Sequence, residues 1–218
     1  MKILATLGDS WTAGAELENR EKDRYSTLLF NKLRYSHLYN LGIPGSSLEH
    51  LILQLQDLHS KVNADDDVTV VFWLTNPARS IYWPSAMSWS WTSEERSHWP
   101  TDAKETIKEL FLYFHDRDSM RASMTITTLQ QMCKAFGYRD FYLPGWVRYN
   151  NLLPSVDTEK IWKRGTETAA DWFGASDHCG EHLINVKTNP YIKPNFSHAN
   201  ELGHKLIADK LAQWILSL

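Results

Sequence analysis

Four short segments of the chain carry the side chains that acyl-transfer chemistry requires. A serine hydroxyl stands in Gly8-Asp9-Ser10, an imidazole at His198 and a carboxamide at Asn76. A glycine-rich turn at 42–45 leads into a predicted helix, where unpaired backbone amides can face a developing negative charge. A hydroxyl nucleophile, a base and neutral hydrogen-bond donors are together the parts needed for acyl transfer. These segments are far apart in sequence, so the fold has to bring them together.

The elements that would position them alternate between strand and helix. Short apolar runs at 3–7, 37–41 and 68–74 predict buried strands, and each ends just before one of the polar segments. Helical spacings separate the runs, and a capping box at Ser46 and Glu49 predicts where the second helix begins. Such alternation builds right-handed βαβ units, whose loops beyond the carboxyl ends of the strands share one edge. We therefore predict an α/β fold, a three-layer α/β/α sandwich of flavodoxin-like topology with about five parallel strands and helices on both faces.

The remaining residues complete one predicted domain that spans 1–218. Its middle holds a Trp-rich insertion at about 79–100 and extra helices at about 101–136, where two separate helical patterns occur. Further strands are predicted at 139–143 and 183–186, and an amphipathic helix closes the chain.

Composition excludes several classes of protein. A net charge of −3 over 218 residues gives no broad basic face, so we expect no nucleic-acid partner. The chain has no apolar run of the roughly 18 residues that a membrane span needs, and its start lacks the pattern of a signal peptide. Two cysteines make no disulfide framework. The expectation is a cytoplasmic protein, and the sequence does not indicate an oligomeric state.

The four polar segments resemble the four blocks of the SGNH (GDSL) hydrolase superfamily. They are GDSWTAG, NLGIPGSS, the Asn after the third strand, and HANELGHKLIADKL near the C-terminus. The resemblance implies that Ser10 is the nucleophile and His198 the general base. It also implies an oxyanion hole formed by the backbone amides of Ser10 and Gly45 and the side-chain amide of Asn76. The implied activity is hydrolysis of a small carboxylic ester through a Ser10 acyl-enzyme, with no metal and no cofactor.

One departure from the family pattern concerns the partner of the histidine. The family usually has Asp three residues before the His, whereas this chain has Asn195. Asn can accept the imidazole N–H and fix the ring, but it cannot stabilise the imidazolium by charge. Either Asn195 supports His198, or a carboxylate is recruited from elsewhere, with Asp177 the first candidate and Glu201 the second. A gain in turnover from Asn195→Asp would favour Asn195, and no gain would favour a recruited carboxylate.

Tryptophan content bears on the substrate. The chain has ten Trp, and several fall in the predicted insertion. Indole rings stack on sugar faces or hold acyl chains, so we predict substrate contacts from Trp11, Trp83, Trp89 and Trp91. By resemblance the substrate is an O-acetylated carbohydrate, a short-chain acyl ester, a lysophospholipid or a thioester, and the Trp content favours the carbohydrate O-acetyl group.

Other functions are weighed against ester hydrolysis. The alternative from another class is a non-catalytic glycan-binding module on the same fold. A phosphate or nucleotide binder is disfavoured because no phosphate-binding glycine fingerprint follows a strand. The cluster of His, Cys and acidic residues at 177–182 lacks the spacing of a zinc site and is predicted to be a polar loop.

Overall fold

The computed structural model describes most of the chain. The described residues are 1–77, 80–82, 87–89, 101–149, 151–173, 189–192 and 198–217. For 80–82, 87–89 and 101–118 the description covers the backbone alone.

A parallel sheet forms the centre of the protein. The described strands are β1 (Lys2–Leu7), β2 (His37–Asn40), β3 (Asp67–Leu74), β4 (Ser80–Tyr82), β5 (Met87–Trp89) and β6 (Arg139–Pro144). Four of them form a parallel sheet in the order β2-β1-β3-β6, while β4 and β5 form a separate antiparallel pair. In the parallel sheet, Thr6 lies opposite both Asn40 and Val71. The carboxyl ends of β1, β2 and β3 therefore lie along one edge.

Helices connect the strands. They are α1 (Ser10–Ala13), α2 (Arg20–Asp23), α3 (Tyr25–Leu33), α4 (His50–His59), α5 (Thr101–Phe136), α6 (Ala169–Trp172) and α7 (Glu201–Ser217). Two short 3-10 turns lie at Thr158–Lys160 and Trp162–Gly165. No helix in the described part of the chain is long and apolar enough to cross a membrane.

Both faces of the sheet are covered, because alternate residues of each strand point to opposite sides. In β1, Ile3 and Ala5 join a core with the apolar side of α4 and the C-terminal half of α5. Leu4 faces the other way and joins a second core with α3 and α7. The result is a helix–sheet–helix sandwich. The segment after β1 lies at the edge formed by the carboxyl ends of the strands.

The predicted α/β fold is confirmed, with corrections of detail. The parallel sheet has four described strands, and the fifth predicted strand, at 183–186, lies outside the described residues. The two helical patterns predicted within 101–136 form one helix, α5, of 36 residues. The predicted capping box is wrong: Ser46 Oγ donates to the Gly8 carbonyl at 3.0 Å, and α4 begins only at His50. A tertiary hydrogen bond has replaced the local one.

Candidate active site

Ser10 is the first residue of α1, directly beyond the carboxyl end of β1. Asp9 caps this helix, since its buried carboxylate accepts a hydrogen bond from the Trp11 amide at 3.0 Å. Gly8 has no room for a side chain, because a Cβ there would lie 2.2 Å from Thr12 Oγ1 and 2.7 Å from Trp73 Cβ. The strand therefore turns sharply into the helix, and the turn presents the serine at the edge of the sheet.

Hydrogen bonds tie this turn to the loops that follow β2 and β3. The Gly8 carbonyl accepts from the Ile43 amide at 2.9 Å, in the loop after β2. Gln54 of α4 binds the same peptide group twice: its Oε1 accepts from Gly8 N at 2.8 Å, and its Nε2 donates to Gly8 O at 2.9 Å. Thr75, just after β3, donates its hydroxyl to Asp9 Oδ2 at 2.9 Å. Three segments predicted to meet at one edge are thus joined there.

His198 approaches the serine from the segment before α7. Its Nε2 lies 2.8 Å from Ser10 Oγ, across 188 positions of sequence. The neighbouring Ala199 is buried and bridges to Ile192. A Cβ on Gly203 of α7 would lie 2.5 Å from the Tyr191 carbonyl oxygen, so α7 packs closely against the segment that contains Tyr191 and Ile192. The imidazole is therefore held by a tightly packed backbone.

The second imidazole nitrogen of His198 faces a carboxylate. Glu16 Oε1 lies 2.9 Å from His198 Nδ1, within ion-pair distance. Gly14, with φ +72°, ends α1 in the left-handed conformation, and the chain turns back so that Glu16 lies beside the ring. Glu16 was not predicted as a site residue from the sequence. The signal that could have found it is Gly14, which ends the helix only four residues after the serine.

The candidate oxyanion donors lie at the ends of neighbouring strands. Gly45 adopts φ +77° in the loop after β2, and half-buried Asn76 follows β3. Arg121 of α5 fixes this region, since its Nη2 donates to the Pro77 carbonyl at 2.7 Å and its Nε lies 2.8 Å from Glu49 Oε1. The role of Gly45 and Asn76 as oxyanion donors remains a prediction.

A layer of packed aromatic rings lies next to the His198 imidazole. Trp11 stacks on Trp73 with ring centroids 5.4 Å apart and lies 6.0 Å from the His198 ring. His204 is buried in the same layer, where its Nδ1 accepts a hydrogen bond from the Tyr25 amide at 3.1 Å. Burial, with His198 nearby, lowers the pKa of His204 to about 3. His204 is therefore neutral, and its ring belongs to the packing of this layer.

Other candidate residues are placed differently or not described. The prediction of Trp11 as a substrate contact needs correction, because the core leaves 4% of this residue exposed. Asn195, Asp177, Trp83 and Trp91 lie outside the described residues, and only the backbone of Trp89 is described. Glu201 begins α7 and is exposed, while the carboxylate at His198 Nδ1 belongs to Glu16.

A metal site was not expected from the sequence. Within the described residues, no group of three or more His, Cys, Asp or Glu is arranged to hold a metal ion. The cluster at 177–182 lies outside those residues.

Solved structures share this architecture along the whole chain. A lipolytic protein of the G-D-S-L family from Desulfitobacterium hafniense matches with a TM-score of 0.52 and 12% identity, over 97% of this chain and 98% of that one. The chain has the SGNH hydrolase fold. The esterase EstA from Pseudoalteromonas sp. gives 0.51 and 13% over 98% of each chain, and the acetyl xylan esterase AlAXEase gives 0.51 and 17% over 100% of each.

The resemblance predicted from the sequence is thus confirmed at the level of the fold. No family model matches the chain, and no curated protein matches it in sequence. With identities this low, the comparisons establish the fold alone, and the chemistry has to be argued from the side chains themselves.

Proposed function

We propose that the chain hydrolyses small carboxylic esters through an acyl-enzyme on Ser10. The observation that carries the proposal is the distance of 2.8 Å between His198 Nε2 and Ser10 Oγ, at the edge of the sheet where open α/β folds bind their ligands. A hydroxyl so close to an imidazole can pass its proton to the ring as it attacks a carbonyl carbon. Solved structures with this fold carry the names of esterases, which supports the same class of reaction.

The proposed reaction has two halves, acylation of Ser10 and hydrolysis of the acyl-enzyme. Ser10 Oγ attacks the ester carbonyl carbon while His198 takes the hydroxyl proton, and a tetrahedral oxyanion forms. The oxyanion collapses, the alcohol leaves with the proton from His198, and the acyl group remains on Ser10. Water then attacks the acyl-enzyme as His198 takes one of its protons. Collapse releases the carboxylic acid, and Ser10 regains its proton.

Neutral donors would stabilise the oxyanion in both halves. The proposed donors are the backbone amides of Ser10 and Gly45 and the carboxamide of Asn76, which lie after β1, β2 and β3. Loss of one donor of this kind reduces kcat by about 10²- to 10³-fold in serine hydrolases. The bonds from Thr75 to Asp9 and from Ile43 to Gly8 hold the three loops in a fixed relation.

We propose a carbohydrate O-acetyl ester as the substrate class. Two solved structures with TM-scores of 0.51 support it: AlAXEase, and a two-domain esterase described as active on acetylated mannans, of which this chain covers 50%. Four of the ten Trp fall in the predicted insertion at about 79–100, and indole rings suit stacking on sugar faces. Acetylated xylan and acetylated mannan are therefore the first substrates to assay.

Hydrolysis of p-nitrophenyl acetate and labelling by a fluorophosphonate probe test the proposal. The wild type should react in both assays, whereas Ser10→Ala and His198→Ala should lose at least 10³-fold in kcat/KM. Exposed Ser36 and His37, at the opposite end of β2, provide the matched controls Ser36→Ala and His37→Ala, which should keep wild-type rates. A wild type that neither turns over nor takes the label, yet binds xylan, would replace the proposal with a glycan-binding module.

A further inference from the structure

Glu16 and Ser10 lie on opposite nitrogens of one imidazole. The ring of His198 has Ser10 Oγ 2.8 Å from Nε2 and Glu16 Oε1 2.9 Å from Nδ1. We infer that Glu16 is the carboxylate partner of His198, a positioning residue that orients the base and stabilises its protonated form. The inference rests on the proposed function, since it concerns the same base.

The backbone of Glu16 adopts a conformation that L-amino acids rarely take. Its φ is +68°, in the left-handed region where a residue with a Cβ is strained. The turn is nevertheless well fixed, because the Ala15 amide donates to the Ser10 carbonyl at 2.9 Å and Leu17 is buried. Glycine would fit this position better than glutamate. Backbone strain of this kind clusters at functional sites, where the surrounding structure holds the strained residue in place.

The carboxylate supplies what an amide at position 195 cannot. A carboxylate within ion-pair distance of Nδ1 favours the tautomer that carries its proton on that nitrogen, which leaves Nε2 a lone pair for the Ser10 hydroxyl proton. Once that proton has moved, the positive ring lies beside a negative charge. The pair is largely shielded, with side-chain exposures of 17% for His198 and 29% for Glu16. The charge therefore comes from the segment that follows the nucleophile instead of the segment that precedes the histidine.

The first test replaces Glu16 by its neutral isostere. Glu16→Gln should lower kcat for p-nitrophenyl acetate by up to about 10⁴-fold, the size of loss found when a triad carboxylate is removed, with KM changed less than threefold. Glu18→Gln, two residues along and exposed, is the matched control and should keep wild-type kcat. Glu16→Asp keeps the charge on a shorter side chain and should recover at least tenfold of the loss.

The second test separates the function of Glu16 from its contribution to the fold. Glu16→Gly removes the carboxylate and relieves the positive φ, so it should raise Tm by about 2–4 °C while kcat falls as in Glu16→Gln. A residue with a merely structural role would not change stability and turnover in opposite directions.

The outcomes distinguish this inference from the proposed function. If Ser10→Ala and the wild type are equally inert, the proposed function fails. If Ser10→Ala is inert while Glu16→Gln keeps more than a tenth of wild-type kcat, only the role of Glu16 is overturned. A rise in turnover from Asn195→Asp, with Glu16→Gln unchanged, would assign the role to position 195.

Discussion

Replacing Gln54 by methionine tests how strongly α4 holds the turn that carries the serine. The Gln54 side chain is buried and makes two hydrogen bonds to the Gly8 peptide, at 2.8 Å and 2.9 Å. Methionine fills a similar volume without a polar group. The Gly8 carbonyl keeps its bonds from the Ile43 amide and the Ser46 hydroxyl, whereas the Gly8 amide loses its acceptor.

The expected cost follows from these two bonds. A buried amide left without an acceptor costs about 1–3 kcal/mol, and the net loss of the other bond costs about 0.5–1.5 kcal/mol. We therefore expect Gln54→Met to lower the free energy of unfolding by about 3 kcal/mol. For a domain of this size, that loss corresponds to a fall in Tm of about 6–12 °C.

Urea denaturation followed by tryptophan fluorescence measures this loss. Gln56→Met is the matched control, because Gln56 lies on the same helix and is exposed. If Gln54→Met and Gln56→Met unfold with free energies within about 0.5 kcal/mol of each other, the two hydrogen bonds of Gln54 do not stabilise the turn.

Two further predictions concern α7. Gly203→Ala would place a Cβ 2.5 Å from the Tyr191 carbonyl oxygen. We therefore expect the free energy of unfolding to fall by about 1–3 kcal/mol and fluorophosphonate labelling to slow. Unchanged labelling would contradict close packing between α7 and Tyr191. The pKa of His204 falls from an ordinary value of 6.5 to about 3, so below pH 6.5 the unfolded chain binds a proton that the folded chain excludes. Stability should therefore decline by up to about 1.4 kcal/mol per pH unit as pH falls from 6.5 toward 3. His204→Asn, which keeps an acceptor for the Tyr25 amide, should flatten that slope in unfolding free energies measured between pH 7 and pH 5, and equal slopes would count against it.

The sequence was sufficient for the sheet and for the residues at its edge. Alternation of apolar runs and helical spacings predicted β1, β2 and β3, and polar residues at the strand ends predicted where a site would form. Ser10 and His198 were named from motifs, and the fold brings their side chains within 2.8 Å. Local pattern was informative here because a parallel sheet converts strand ends into neighbours.

Interactions between distant residues escaped the same reasoning. Ser46 and Glu49 have the spacing of a capping box, yet Ser46 binds the Gly8 carbonyl instead, which no local pattern reveals. Glu16 stands in a polar segment with Glu18 and Glu21, and nothing in its residue type separates it from them. Its position depends on the left-handed turn after α1 and on a contact with His198. Trp11, predicted as a substrate contact from its residue type, is a core residue because Trp73 stacks against it.

Ser10, Glu16 and His198 come from two segments of the chain, and this division determines how their contacts can be lost. Ser10 and Glu16 both belong to α1 and the turn after it, and His198 alone comes from the other end of the chain. When an acid precedes the histidine by three residues, base and acid travel together. In this protein the acid stays with the nucleophile, so any displacement of the His198 segment separates the ring from both partners at once. A displaced His198 segment therefore leaves no intact pair of base and acid.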